Sequence, residues 1–478
     1  MRGLNQKRAP IYEALERHVR RGYTGFHFPG HGGGKEIPLR LRVLSGQLAG
    51  YDLTELPGLD DLHAPTGSIR DAEALAAALY GADTSFFLVN GSTAGIQAMM
   101  LTGLLPDEKV ILPRNLHRSV VAGLVLSGAE PVYLTPPVDP DFGVCLGITE
   151  EMLRAEIRKH PDARAVLLVH PNYFGVAGLT SGHAVLVTGA GMTLMADEAH
   201  GLHLPFDSQL PLAAMACGAD AAVQSMHKMG TGLTQTALLH LKGSRLEPGA
   251  VRRSLGLLQS SSPSYLLMAS LDLARRQLAR QGARIVGRMV DLALELRGGL
   301  ADAGFPVLDT GPAQDLTKVY VSLRETGWSG PDAARLLRNN HRIQVELADP
   351  SGLLFVIGPG STREGIRRLL RVMALLARRR GRSRRHPVTP LRLPPLPTRA
   401  LTPREAFVSP ATAVPLTRSE GRILAETIAL SPPGIPLLIM GEQMNREMIE
   451  YILEARAGGM LLTAGDPTVD TVRVVAER

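Results

Sequence analysis

The chain has 478 residues, 45% of them hydrophobic, enough for two to four domains with buried cores. Aromatic residues make up only 4%, with one Trp, which argues against stacking platforms for single-stranded nucleic acid. The net charge of +7 is small for this length and much of it lies in one run, Arg378 to Arg385, so no nucleic-acid partner is expected.

Cys145 and Cys217 are the two cysteines, and their spacing is not that of a metal site. Neither a disulfide framework nor a metal is expected, and a reducing cytoplasm fits. Residues Met1 to Arg8 lack an apolar stretch, and no apolar run reaches bilayer length. The expectation is a cytoplasmic protein without a membrane partner.

In chain order, the first fifty residues read as an arm. Ile11 to Arg20 has helical periodicity, and Phe28-Pro29-Gly30-His31-Gly32-Gly33-Gly34 is a loop. Asp71 to Tyr80 is an alanine-rich helix. Apolar strands are predicted at Phe86 to Val89, Val110 to Leu112, Val132 to Leu134, Ala165 to Val169, Thr193 to Ala196 and Ala221 to Val223. Helices such as Ala94 to Leu101 and Glu150 to Lys159 separate some of them. This alternation predicts an α/β fold with a mostly parallel sheet covered on both faces. Ligands of such sheets bind beyond the carboxyl ends of the strands, where Asn90, His170 and Asp197 lie.

Ser264 to Leu300 reads as a long helical region. A small α/β domain follows, with strands at Lys318 to Leu323, Ile343 to Leu347 and Leu353 to Ile357 and helices at Pro331 to Arg338 and Arg363 to Leu376. Arg378 to Arg385 and prolines 387, 390, 394, 395 and 397 mark a linker. A last α+β domain carries strands near Pro436 to Ile439 and Gly459 to Leu462. The expected division is an arm at 1–50, a large domain at 51–285, a small domain at 286–385, a linker at 386–399 and a C-terminal domain at 400–478.

Three features carry chemistry. Asn90-Gly91-Ser92-Thr93, between a strand and a helix, offers amides and hydroxyls to a phosphate; an ordinary helix cap has the same look. Asp197 closes an apolar strand, where a carboxylate is costly unless a cation meets it. A protonated pyridine nitrogen or an Arg would serve, and His200 follows three residues on. Lys228 sits between a strand and a Gly/Thr-rich turn, with Ser225 and His227 beside it. Lysine occurs at only seven positions, and the other six lack comparable neighbours in sequence. A buried lysine amine is a good nucleophile toward an aldehyde. Lys228 with Asp197 therefore points to pyridoxal 5'-phosphate (PLP), and His117 could stack on its ring.

These stretches together resemble the Orn/Lys/Arg decarboxylase family in its shorter bacterial form. The matching residues are Asp52 to Leu56, Gly58 to Leu62, Asn90 to Thr93, Arg114-Asn115-Leu116-His117, His170-Pro171-Asn172-Tyr173, Ala196-Asp197-Glu198-Ala199-His200-Gly201, Ser225-Met226-His227-Lys228, Ser431 to Pro436 and Gly441-Glu442. The resemblance implies a PLP-dependent transferase-like large domain of the aspartate aminotransferase type. It implies decarboxylation of arginine, lysine or ornithine, in polyamine metabolism, by a homodimer or larger homo-oligomer with sites at the subunit interface. Lys228 would carry the cofactor, Asp197 its ring nitrogen and His117 its ring face. Gly91, Ser92, Thr93, Ser225 and His227 would hold the phosphate, and Ala199 and His200 would line the ring. Glu346 would meet the substrate's distal cationic group. Two departures bear on partner contacts and substrate preference: no lysine follows His31, and no Pro-Tyr precedes Pro432. An aminotransferase, another PLP lyase, or a non-catalytic regulatory protein of this fold could share the constellation.

Overall fold

The computed structural model describes residues 19–32, 34–46, 48–56, 59–378, 395–430, 435–457 and 460–476. Several sequence expectations lie outside them: most of the Ile11 to Arg20 helix, Gly33, Gly58, the arginine run beyond Arg378, prolines 387, 390 and 394, Ser431 to Gly434, and Gly459.

Seven strands form the central sheet: β2 (Thr84–Leu88), β3 (Lys109–Pro113), β4 (Glu130–Leu134), β5 (Ala165–Val169), β6 (Thr193–Asp197), β7 (Ala221–Ser225) and β8 (Ala237–Leu241). Their order is β2-β8-β7-β6-β5-β3-β4. All neighbours are parallel except β8, which runs antiparallel between β7 and β2. β8 is absent from the sequence reading. It follows β7 through the helical turn Met226–Met229 and a Gly/Thr-rich loop, and its short Ala237-Leu238-Leu239 run does not stand out from that loop by periodicity alone.

The inner strands bury both faces, alternating residue by residue, while the edge strand β4 stays partly open. Val110, Leu112, Leu167, Met195 and Val223 face helices Gly91–Gly103 and Arg118–Ser127. Ile111, Val166, Leu168, Leu194 and Ala222 face the opposite layer, with helices Glu150–Lys159 and Ser181–Gly189. Gly95 fits the first layer because a Cβ there would lie 2.7 Å from Leu88 and 3.0 Å from Val223. The two-layer cover places the carboxyl ends of β2, β3, β5, β6 and β7 on one side of the sheet.

Helix Tyr265–Asp302 runs unbroken for 38 residues. Its apolar stripe, including Leu278, Ile285, Met289 and Leu296, joins a core with Val319, Val321, Leu353 and Phe355. β9 (Lys318–Ser322), β11 (Leu347–Asp349) and β12 (Gly352–Val356) form an antiparallel sheet there. The single strand expected over Ile343 to Leu347 is two. β10 (Ile343–Val345) pairs with β1 (Thr24–Phe26) of the arm, and β11 pairs with β12. The break falls at Glu346, whose side chain leaves the ladder to accept a hydrogen bond from the Phe28 amide at 3.0 Å.

The last domain packs helix Arg446–Ala457 on strands Ile428–Leu430 and Ile435–Leu438, with Leu438, Met448, Ile452 and Val474 in its core. Ile439 reaches into the core of the large domain beside Leu112 and Leu116. Among the described residues, no helix is long and apolar enough to cross a membrane.

Candidate active site

Asp197 is the last residue of β6, and its side chain is buried. Its carboxylate accepts one hydrogen bond among the described residues, from the Ala199 amide at 3.2 Å. Burial pushes its pKa up, and the Lys228 charge pulls the other way. Glu198 points away from the site: Oε1 accepts from the Ala214 amide and Oε2 from Gln224 Nε2, both at 2.7 Å. Gln224 continues to His240, and His240 to Ser85. This buried chain crosses from β6 through β7 and β8 to β2 and pins the turn that presents Asp197 and His200.

Lys228 lies in the helical turn Met226–Met229 that follows β7. Its Nζ is 3.0 Å from His200 Nε2. Burial lowers the Lys228 pKa, while Asp197 and Glu346 oppose the shift. The arm closes this turn: the Gly30 amide donates to His227 O at 3.0 Å. A Cβ on Gly30 would lie 2.5 Å from Lys228 O, so only glycine lets the arm pass so closely.

Helix Gly91–Gly103 starts beside the same turn. Gly91 has φ +72° and donates its amide to Gln235 O at 2.8 Å. Thr236 O, next along, accepts from the Met226 amide at 3.0 Å and lies 3.3 Å from His227 Nδ1. Residues 235 and 236 thus bring Gly91, Ser92 and Thr93 together with Ser225, His227 and Lys228. Ala199 joins them through its carbonyl, which accepts from the Ser225 amide at 3.4 Å. Asn90 makes no side-chain cap among the described residues, so the amides that follow Gly91 at the helix start keep their donor capacity.

His117 caps helix Arg118–Ser127, its Nδ1 accepting from the Ser119 amide at 3.2 Å. Burial, then the charges of Lys228 and Arg118, push its pKa down to about 4. The ring is neutral at physiological pH. Arg114, three residues before it, donates to Leu437 O at 3.1 Å and Glu442 Oε2 at 2.9 Å. Two stretches quoted for the family resemblance, far apart in sequence, therefore bind each other.

Glu346 sits on the far side of His200. It accepts from the Tyr173 hydroxyl as well as from the Phe28 amide. Tyr173 packs edge-on against His200 at 5.1 Å between ring centres, and Phe28 packs at 5.5 Å. Glu346, Tyr173, His200 and Lys228 form one continuous line. An ionised carboxylate has about four lone-pair sites, so two donors leave room for a cation.

Sequence reading missed a second buried lysine. Lys318 and Asp315 are fully buried and pair at 3.0 Å. Asp315 also lies 3.1 Å from His203 Nε2 and accepts from Thr317 Oγ1 at 2.6 Å. The available signal was Asp315-Leu316-Thr317-Lys318 at the start of a strand in a chain of seven lysines.

Unpaired groups here match an anionic, cationic-ringed ligand. Among the described residues, Ser225 Oγ is buried without a hydrogen-bond partner, as is His200 Nδ1. With the uncapped helix they suit a phosphate and a ring edge. Asp197 is a buried carboxylate still open to a cation. These residues fit PLP.

Fold and strand-end cluster define a fold-type I α/β enzyme of the aspartate aminotransferase type. The Orn/Lys/Arg decarboxylase major-domain profile matches residues 9–313, and the C-terminal-domain profile of the same family matches 392–462. The arginine decarboxylase of Bacillus subtilis (strain 168) is 36% identical over 486 residues, covering 99% of each chain. That of Halalkalibacterium halodurans is 37% identical over 484 residues, covering 99% of this chain and 98% of the other. The constitutive lysine decarboxylase of E. coli superposes with a TM-score of 0.74 at 21% identity, over 98% of this chain and 82% of that one, a likeness of fold. The chain belongs to the Orn/Lys/Arg decarboxylase family, and with it to the carboxy-lyases that act on basic amino acids.

Proposed function

We propose that this protein is a PLP-dependent arginine decarboxylase, forming agmatine and CO₂. The observation that carries the site assignment is the buried line of Asp197, His200 and Lys228, with Lys228 Nζ 3.0 Å from His200. The full-length relatives named arginine decarboxylase support the choice of arginine.

When bound, PLP supplies an electron-withdrawing ring that accepts the electron pair left by departing CO₂. Lys228 is the residue that holds its aldehyde carbon. Burial shifts this amine toward its neutral form, and it is the group placed to take a proton from the substrate amine and return one to Cα. Asp197 offsets the positive charge of the ring nitrogen and is itself relieved of an unpaired buried charge. Gly91, Ser92 and Thr93 at the helix start, with Ser225 and His227, hold the phosphate. Ala199 and His200 would line the ring, and His117 would stack on it. Glu346, steadied by Tyr173, receives the guanidinium in a charge-assisted contact. A cytoplasmic homodimer in polyamine metabolism is the setting this reading implies.

The test is a panel of arginine, lysine and ornithine on PLP-loaded protein, with Lys228→Ala as control. Labelled CO₂ should come from arginine with the highest kcat/KM. A preference for lysine or ornithine overturns the substrate, and keto acid in place of CO₂ overturns the reaction.

A further inference from the structure

Lys318 has no place in the site as read so far. Its ammonium is wholly buried, which for a lysine is costly without strong partners. Its partners belong to three separate pieces of the site. Asp315, on its own strand approach, holds it at 3.0 Å and also reaches His203, which ends the turn carrying Asp197 and His200. Met229, next to Lys228, places its Sδ 3.1 Å from Lys318 Nζ. The loop after Tyr173 closes over the same side chain: the Asp315 amide donates to Gly175 O at 2.7 Å, and a Cβ on Gly175 would lie 2.8 Å from Lys318 Cβ.

We propose that Lys318 is a positioning residue of the active site, a fixed positive charge that the small domain delivers beside Lys228 and that ties together the turns bearing His200, Lys228 and Tyr173. The inference rests on Lys228 being the cofactor's lysine. Thr317 Oγ1 lies 3.5 Å from the ammonium, and on the Met229 side, one residue from Lys228, it meets only a thioether, a weak acceptor that leaves its charge poorly compensated there. That orientation matters electrostatically, because a like charge nearby disfavours the protonated amine. The groups facing Lys228 are Asp197 from β6, His200 from the following turn, His117 from the loop after β3, Glu346 from the β10–β11 break and Lys318 from β9. Asp197 and Glu346 favour its charged form; Lys318 opposes it. Lys318 is faced in turn by Asp315 and His203, and Arg297 donates to its carbonyl at 3.4 Å.

Three variants test this: Lys318→Met, Lys318→Met/Asp315→Asn, which removes both buried charges, and Lys318→Arg, which keeps the positive one. In PLP-loaded protein, the pH midpoint of the cofactor's visible absorbance change should rise by about one unit in Lys318→Met, less in the double variant, and return with Lys318→Arg. In cofactor-free protein, the pH midpoint for reductive methylation of Lys228, read by peptide mass spectrometry, should move the same way. Unchanged midpoints in folded Lys318→Met, or the same midpoint in Lys318→Met and Lys318→Arg, would overturn the proposal, even if Tm falls. Should wild-type protein gain no visible band with PLP, the reading of Lys228 fails instead, and the methylation midpoint still decides the role of Lys318.

Discussion

Lys228 acquires its chemistry from burial and company. A lysine in water is protonated and unreactive; here desolvation lowers its pKa against the pull of Asp197 and Glu346. Lys228→Ala should therefore lose decarboxylation by on the order of a thousandfold or more while Tm changes little, and full turnover in that variant would end the mechanism. Glu346→Gln keeps the Tyr173 contact but removes the charge. KM for arginine should rise about ten- to hundredfold, more than kcat falls, in steady-state kinetics. Equal KM values would place the guanidinium elsewhere. At this scale the sequence was informative where chemistry sits at strand ends. Asp197, Lys228 and His117 stand out because a polar residue ending an apolar run has few structural reasons to be there. Lys318 and Tyr173 do not, because their partners come from other elements: Asp315 meets His203, and Tyr173 meets Glu346, only through tertiary packing.

Among elements, the turns after β6 and β7 are held from behind. The Glu198–Gln224–His240–Ser85 chain crosses four strands, and burial raises the Glu198 pKa to about 8. A carboxyl whose folded pKa exceeds its unfolded value contributes stability that is full below the unfolded pKa and is lost as pH rises toward 8. Glu198→Gln does not titrate, so its Tm relative to wild type should be higher at pH 8 than at pH 5. An identical difference at both values would contradict the assignment. Arg114 and Glu442 brace the His117 loop against the C-terminal domain, with side-chain exposures of 8% and 3%. Glu442→Leu leaves a buried guanidinium unpaired and should cost about 3–5 kcal/mol in denaturant unfolding, while Arg114→Met/Glu442→Leu recovers most of it. No recovery would mean the two residues act separately. The order and kind of these elements were largely legible from apolar runs. β8 and the break at Glu346 were not: periodicity cannot mark where a strand changes partner, and β10 turns to the arm while β11 turns to β12.

Over the whole molecule, the arm, the small domain and the C-terminal domain each reach residues that follow the carboxyl ends of the central strands. The arm passes Lys228 through Gly30, the small domain brings Glu346 and Lys318, and the C-terminal domain supports Arg114. The fold class was legible because alternating strands and helices have few solutions. The convergence of distant segments was legible only through the family resemblance, since composition carries no information about which loops meet. All of these contacts give reasons for one claim, that Lys228 and no other lysine holds the cofactor. Borohydride reduction of PLP-loaded protein, followed by peptide mapping, tests it directly. The pyridoxyl mass should appear on the peptide containing Lys228. The same mass on Lys318, or on no lysine at all, would contradict it.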